Sequence, residues 1–208
     1  QDVLLSTNKG VSLRDTNLVV GTSSTRRIAT LKHFFPQVKT VEVRGNLQTR
    51  IRKMEEGHCD ALLLAYAGVH RMGYESLLVE HLDLNQFIPA VGQGSIALEA
   101  STNLDPSLRE AIVRACNDRQ TENCLLAERA FLRVLEGGCS IPVFALATLV
   151  GNQVHLKGGI VSLDGQQRIV IEVSGPMAEG EQLGEALAKQ VLEAGGKTIL
   201  DQIKSSLH

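Results

Sequence analysis

Apolar residues are spaced in two different ways along this chain, and the spacing changes where one predicted element gives way to the next. Short apolar runs predict strands at 17–21, 38–43 and 60–65. Each run is followed by residues with the 3.6-residue period of a helix. Strands and helices that alternate in this way are typical of an α/β domain with a parallel sheet.

The second half of the chain has a different pattern, in which two helices come first and strands follow. Asp105 and Asp118 are predicted to be the N-caps of these two helices. The second helix, which begins after Asp118, is expected to run to about Leu135. The following residues predict three strands, joined by Gly-Asn and Asp-Gly turns, at 143–150, 153–162 and 166–174. Two helices, at 179–194 and 197–206, are predicted to close the chain. This order predicts a small α+β domain with a three-stranded antiparallel sheet.

Glycine and proline interrupt the pattern at two places. Segment 87–99 predicts a hinge or tight loop that leads into another apolar strand. Gly137 or Gly138 is expected to end the preceding helix in a left-handed cap, which leaves Cys139 on a loop. A lone cysteine is usually a buried structural residue, and this is our interpretation of the other three: Cys59, Cys116 and Cys124.

Composition narrows the class of protein. The chain has 208 residues, of which 43% are hydrophobic, and a net charge of -2, which argues against a chain-wide nucleic-acid or membrane-surface footprint. The four cysteines form no CxxC motif, so we expect neither a disulfide framework nor a metal site. Because proteins without disulfides are typical of a reducing compartment, we expect a cytoplasmic location. No apolar run approaches the roughly 18 residues that span a bilayer. Because Gln1 is not an initiator methionine and strand-like sequence follows at once, we expect a fragment.

Arginines recur where the predicted strands end. Ser24 lies at a predicted helix N-terminus, and five arginines follow the three strands: Arg26, Arg27, Arg44, Arg50 and Arg71. In α/β sheets ligands bind beyond the carboxyl ends of the strands, and the arginine fork suits carboxylates. We therefore expect a polyanionic ligand. The first motif alone is equally a plain N-cap followed by two exposed arginines. If the arginines bind the ligand, replacing Arg26 or Arg27 by Leu is expected to impair function and leave the fold nearly intact, because exposed arginines contribute little to stability.

Six motifs in this order resemble the porphobilinogen deaminase family, also called hydroxymethylbilane synthase, over essentially all 208 residues. They are Val-Gly-Thr-Ser-Ser-Thr-Arg-Arg at 20–27, Val-Arg-Gly-Asn at 43–46 with Thr49-Arg50, Ala67-Gly68 with Arg71, Pro-Ala-Val-Gly-Gln-Gly at 89–94, Ala-Glu-Arg at 127–129, and Leu-Glu-Gly-Gly-Cys-Ser-Ile-Pro at 135–142.

The resemblance implies a transferase of tetrapyrrole (haem) biosynthesis that condenses four porphobilinogen molecules into hydroxymethylbilane and releases ammonia. It implies that Cys139 holds a dipyrromethane cofactor by a thioether. Positions that bind carboxylates of the cofactor would be Ser24, Arg26, Arg27, Arg44, Arg50 and Arg71. Positions that bind the substrate and the growing oligopyrrole would be Arg26, Arg50, Arg71 and Gln93. The catalytic Asp of the family belongs to a preceding domain, so we expect no catalytic residue here, an inactive fragment and no attached cofactor.

The resemblance also divides the chain. Residues 1–93 would be the second domain, similar to one lobe of a type II periplasmic-binding protein; residues 94–118 would be a remnant of the first domain and a linker. Residues 119–208 would be the C-terminal domain that carries Cys139, in a monomer that binds neither nucleic acid nor membrane. The alternative function is a small organic-anion binding protein of the periplasmic type, which gives no reason for a loop thiol after Gly-Gly.

Overall fold

The computed structural model describes residues 1–138 and 140–206, and its first half is built around one mixed sheet. The elements are β1 (Asp2–Leu5), β2 (Val19–Gly21), α1 (Thr25–Phe34), β3 (Lys39–Val41), α2 (Leu47–Glu55), β4 (Ala61–Ala65), α3 (Tyr66–Arg71), a 3₁₀ turn (Glu75–Leu77) and β5 (Leu78–His81). The strand order in this N-terminal sheet is β3-β2-β4-β1-β5.

Strand directions in the N-terminal sheet decide where its ligand edge lies. Strand β2 runs parallel to both β3 and β4, so the carboxyl ends of these three strands share one edge. Strand β1 is antiparallel to β4, and Asp2 pairs with Ala65. The amino end of β1 therefore lies at the same edge at which the parallel strands end.

Both faces of the N-terminal sheet are covered, and side chains alternate between them. Leu4 and Leu63 pack on one face, whereas Leu5 and Leu62 pack on the other. Strands buried on two faces are apolar at nearly every position, unlike strands with one wet face. This is why the sequence shows continuous apolar runs, such as Ala61–Ala65, rather than alternation.

The second half forms an antiparallel sheet with helices packed on it. The elements are α4 (Pro106–Cys116), α5 (Arg119–Val134), β6 (Val143–Val150), β7 (Gln153–Val161), β8 (Arg168–Pro176), a 3₁₀ turn (Met177–Glu179), α6 (Gly180–Val191), a kinked turn (Leu192–Gly196) and α7 (Lys197–Ser206). The order of this C-terminal sheet is β6-β7-β8. An α/β domain followed by a small α+β domain with three antiparallel strands is thus confirmed. None of the described helices has the length and apolar content that a bilayer crossing requires.

Two glycines in β7 mark a close approach of backbones. The pairing of β7 with β8 runs without interruption from Gln153↔Pro176 to Val161↔Arg168, so the strand has no bulge. A Cβ built on Gly159 would lie 1.9 Å from the backbone oxygen of Ile169. Only glycine therefore fits at this crossing of strands.

The two halves pack against each other through α1 and the C-terminal sheet. The Arg168 guanidinium carbon lies 5.1 Å from the ring centroid of Phe34 and 5.2 Å from that of Phe144. The same guanidinium donates to the carbonyl oxygen of Asn85 at 3.0 Å. Lys32 Nζ donates to the carbonyl oxygen of Leu163 at 2.9 Å. Charge-to-ring contacts and hydrogen bonds thus join the two halves.

The strand expected near the end of segment 87–99 does not form. Residues 95–99 have no strand pairing, and the side chains of Ile96 and Leu98 are 75% and 65% exposed. A strand needs a neighbour to complete its hydrogen bonds, and residues 95–99 belong to neither described sheet. That prediction was wrong because propensity alone does not supply a partner.

The end of α5 also differs from the prediction. The left-handed residue after the helix is Glu136 (φ 49°), not Gly137 or Gly138. Gly137 packs closely instead, because a Cβ there would meet the side-chain ends of Leu132 and Val143, which would have to shift. Cys139, predicted to lie on the following loop, is outside the described residues.

Candidate functional site

The site begins where β2 gives way to α1. Ser24 has extended backbone angles (φ −85°, ψ 115°) and its side chain accepts a hydrogen bond from the backbone N–H of Arg27 at 3.4 Å. The predicted N-cap is confirmed. Because Arg26 and Arg27 lie in the first turn of α1, the cap fixes their backbones at the carboxyl edge of the sheet.

Both guanidiniums converge on Asp2. Arg26 Nη2 lies 2.8 Å from Asp2 Oδ2, and Arg27 Nη2 lies 2.8 Å from Asp2 Oδ1. Arg27 Nε also donates to Asp2 Oδ1 at 3.1 Å. Gln93 completes the group: its Nε2 donates to Asp2 Oδ1 at 2.9 Å, and its Oε1 accepts from Arg26 Nη2 at 3.1 Å. We call Asp2, Arg26, Arg27 and Gln93 the buried cluster.

The arginines of the buried cluster are not exposed, which corrects the expectation from sequence. Arg26 is 5% exposed and Arg27 is 8% exposed, while Asp2 is fully buried. Both guanidiniums also donate hydrogen bonds to backbone carbonyls. Arg26 Nη1 donates to Ile88 O at 2.9 Å, and Arg27 Nη1 donates to Leu63 O at 3.2 Å. Two arginines in these surroundings contribute to the fold as well as to any ligand site.

Burial and charge act against each other in the buried cluster. Burial alone raises the pKa of Asp2, but the positive charges of Arg26 and Arg27 and the hydrogen bonds from Arg27 and Gln93 outweigh it, so the pKa lies below the ordinary value. Burial lowers the pKa of Arg26, and Asp2 partly offsets that effect. Two guanidiniums and one carboxylate leave one net positive charge. The Nε of Arg26 is buried and has no hydrogen-bond partner among the described residues.

The sequence did not reveal Asp2 as part of the site. The available signal was a single carboxylate in the run Asp2–Leu5, all of which is buried. A buried carboxylate requires a charged or hydrogen-bonding partner, so such a residue predicts a nearby cation. Because β1 is antiparallel to β4, Asp2 lies at the same sheet edge as the arginines. A parallel β1 would have placed Asp2 at the opposite edge of the sheet.

The other predicted arginines differ in how far they are exposed. Arg50 is half-buried, and its Nε donates to Gly45 O at 2.7 Å. Burial lowers the pKa of Arg50, and the nearby charge of Arg27 lowers it further. Arg44 is 78% exposed and pairs with Glu42, with Arg44 Nη2 and Glu42 Oε1 2.6 Å apart. Arg71 is exposed at the end of α3. The structure thus joins Arg26, Arg27 and Gln93 directly, with Arg50 close by.

A second carboxylate was also missed. Glu128 on α5 is 5% exposed, and its oxygens accept from the backbone N–H groups of Gly92 at 2.8 Å and Ala147 at 2.9 Å. Burial raises the pKa of Glu128, although the two hydrogen bonds oppose that effect. From sequence Glu128 was only part of a motif, yet it holds the segment that carries Gln93.

Comparison with known proteins assigns the family. A model described as "Porphobilinogen deaminase, dipyromethane cofactor binding domain" matches residues 1–109, and one described as "Porphobilinogen deaminase, C-terminal domain" matches residues 122–193. The chain belongs to the porphobilinogen deaminase family. The buried cluster lies in the segment matched by the cofactor-binding model, and Cys139 lies in the segment matched by the C-terminal model.

Curated porphobilinogen deaminases align along most of this chain. The protein from Cytophaga hutchinsonii is 55% identical over 208 residues, which is 99% of this chain and 66% of the relative. That from Desulfosudis oleivorans is 50% identical over 205 residues, or 98% of this chain and 66% of the relative. That from Carboxydothermus hydrogenoformans is 44% identical over 185 residues, or 89% and 59%. The chain therefore spans 66% or less of the length of these three relatives.

Proposed function

We propose that the protein containing this chain is a hydroxymethylbilane synthase, a transferase that condenses four porphobilinogen molecules head to tail and releases ammonia. The observation that carries the proposal is the buried cluster. Arg26 and Arg27, which with Asp2 carry one net positive charge, lie at the carboxyl edge of parallel strands, in a segment matched by a dipyromethane cofactor-binding model.

The residues fit a ligand with several carboxylates. Each pyrrole unit of porphobilinogen bears an acetate and a propionate, so every condensation adds two negative charges. Burying a carboxylate without a partner costs several kcal/mol. Arg26 is buried, Arg50 is half-buried, and Arg44 and Arg71 are exposed. A series of cations from buried to exposed suits a product that grows out of the site.

We assign roles to the residues on this basis. Ser24, Arg26, Arg27, Arg44, Arg50 and Arg71 would hold the carboxylates of a dipyrromethane attached to Cys139. When bound, the dipyrromethane supplies the primer pyrrole whose carbon attacks the incoming unit. The residues proposed to bind porphobilinogen and the growing chain are Arg26, Arg50, Arg71 and Gln93. Their fixed donors orient the carboxylates without reorganisation, which favours reaction between correctly placed groups.

Proton transfer needs a carboxyl group other than Asp2. Two guanidiniums hold Asp2 ionised, because its pKa is lowered, so it is a poor proton carrier near neutral pH. The curated relatives are longer than the segment that they share with this chain. We propose that the catalytic Asp belongs to that additional part and that these 208 residues alone do not catalyse the condensation.

Domain limits at 93/94 and 118/119 are part of the proposal. Three apolar clusters of described residues support them, since two lie within residues 3–87 and the largest lies within residues 127–203. A smaller cluster joins the two halves through Ala29, Ile88, Phe144 and Val161. The parallel order β3-β2-β4 next to an antiparallel β1 supports the likeness to a type II periplasmic-binding-protein lobe. A monomeric state, a cytoplasmic location and the lack of nucleic-acid or membrane partners stay predictions.

The test is made on the full-length gene product, expressed in cells that make porphobilinogen. Intact mass should show an increment of two linked pyrrole units, mapped to the Cys139 peptide, together with a colour reaction with Ehrlich's reagent. A Cys139→Ala variant is the control and should lose both. If the full-length protein carries no increment and consumes no porphobilinogen, the proposed function is wrong.

A further inference from the structure

Glu128 connects two parts of the molecule. It projects from α5, which packs on the C-terminal sheet, yet one of its oxygens accepts from Gly92 N in the segment that follows the N-terminal sheet. Its other oxygen accepts from Ala147 N in β6. The partners found for Glu128 among the described residues are therefore two backbone amides, without an ion pair.

The next residue after Gly92 is Gln93, whose side chain enters the buried cluster. Gly92 and Gly94 both have left-handed backbone angles (φ 72° and 91°), so Gln93 lies on a tight turn between two glycines. The same segment is tied to β6 a second time, because Ala145 N donates to Pro89 O at 3.1 Å. The turn is thus fixed by its backbone, and Gln93 is aimed by the turn.

We propose that Glu128 is a positioning residue, which places Gln93 against Arg26 and Arg27 by anchoring the backbone of Gly92. The functional part of this inference rests on the proposed function, in which Arg26 and Arg27 bind carboxylates of the cofactor and Arg26 also binds those of the substrate. Glu128 itself touches no arginine of the cluster and acts only through the turn.

A carboxylate suits this position better than an amide. Glu128 must accept two hydrogen bonds from two separate N–H groups, one on each oxygen. Glutamine has one acceptor oxygen, so its NH₂ group would face the N–H of either Gly92 or Ala147, and that hydrogen bond would be lost. Hydrogen bonds to a charged acceptor are also stronger than neutral ones, and a buried donor left without a partner is costly.

The first test measures the arginines directly and needs no ligand. Nitrogen-15 labelled chain is prepared as wild type, Glu128→Gln, Glu128→Ala and Ile203→Ala. Ile203 is a buried core residue that belongs to the C-terminal core cluster, so its truncation is the matched control for lost stability. The Nε–H signals of Arg26 and Arg27 are then followed for exchange with water.

Exchange of the Arg27 Nε–H should be about tenfold faster in Glu128→Gln and faster still in Glu128→Ala, because the loss of a charge-assisted hydrogen bond loosens the turn. Ile203→Ala should leave it unchanged. Equal exchange in wild type and both Glu128 variants, or an equal rise in Ile203→Ala, would overturn the proposal.

A double-mutant cycle tests the route through Gln93. Gln93→Ala alone should speed Arg27 exchange, and adding Glu128→Gln should produce no further change if Glu128 acts through Gln93. Additive effects would contradict that route. Porphobilinogen binding, measured by calorimetry on the same substitutions in the full-length gene product, should weaken in the same order. If exchange behaves as expected but the full-length wild type binds no porphobilinogen, the positioning role stands and the proposed function fails.

Discussion

Replacing Asp2 with Asn tests whether the buried cluster holds the fold together. The substitution keeps the volume of the side chain and removes its charge. Arg26 and Arg27 would then remain buried with only neutral acceptors, namely the amide oxygen of the new side chain, backbone carbonyls and Gln93, and their mutual repulsion would no longer be offset. Breaking a buried ion pair by removing one partner costs about 3–5 kcal/mol.

The free energy of unfolding should therefore fall by about 3–5 kcal/mol at neutral pH, and Tm should fall by roughly 6–20 °C for a chain of this length. Urea and thermal unfolding followed by circular dichroism give both quantities. The control is Asp201→Asn, which makes the same chemical change in an exposed pair with Lys197, where side-chain exposures are 72% for Lys197 and 59% for Asp201. An exposed pair contributes at most about 1 kcal/mol.

The dependence on pH provides a second check. The folded-state pKa of Asp2 lies below its ordinary value, so its contribution is present above the unfolded-state pKa and is lost as pH falls through the folded-state pKa. The difference in stability between wild type and Asp2→Asn should be full near pH 7 and shrink below about pH 4. A loss no larger than that of Asp201→Asn, or a difference that stays constant down to low pH, would refute the reasoning.

Three further predictions concern other parts of the chain. Gly159→Ala should lower the free energy of unfolding, measured by urea titration, by about 3 kcal/mol or more, because the new Cβ would lie 1.9 Å from Ile169 O. The control is Gly68→Ala, which should not destabilise the protein because a Cβ there meets nothing within 4 Å. Arg71→Leu should change stability by less than about 0.5 kcal/mol, since Arg71 is exposed, yet weaken porphobilinogen binding in calorimetry. Intact mass should show Cys139 of the 208-residue chain without pyrrole units, and iodoacetamide should alkylate it readily; a mapped increment would contradict this.

The features that were predictable from sequence have local causes. Each helix cap involves residues two or three positions apart, as where Asp105 accepts from Ser107 N at 2.9 Å and Asp118 accepts from Thr121 N at 2.7 Å. The Gly-Asn and Asp-Gly turns fixed the pairing of the C-terminal strands in the same way. Local chemistry was enough to place these elements within a few residues.

The contacts within the site join distant parts of the chain, and this is why the sequence did not reveal them. Asp2 and Arg27 are 25 positions apart, Asp2 and Gln93 are 91 apart, and Glu128 and Gly92 are 36 apart. The strand direction that brings Asp2 to the arginines depends on β4, not on its own residues. The exposure of Arg26 and Arg27 was therefore misjudged although their presence at the sheet edge was predicted correctly.

Asp2 resolves a conflict between holding an anion and building a stable fold. Two guanidiniums buried side by side repel each other, and without a counter-charge the edge of the sheet would be strongly destabilised. With Asp2 between them, their forks are aligned before any ligand arrives, and one net positive charge remains. Under the proposed function the ligand gains two carboxylates with every added pyrrole, and a single charge cannot balance it. We propose that the additional charge comes from Arg50 and from the exposed Arg44 and Arg71, because arginines near solvent cost little to keep charged without a ligand.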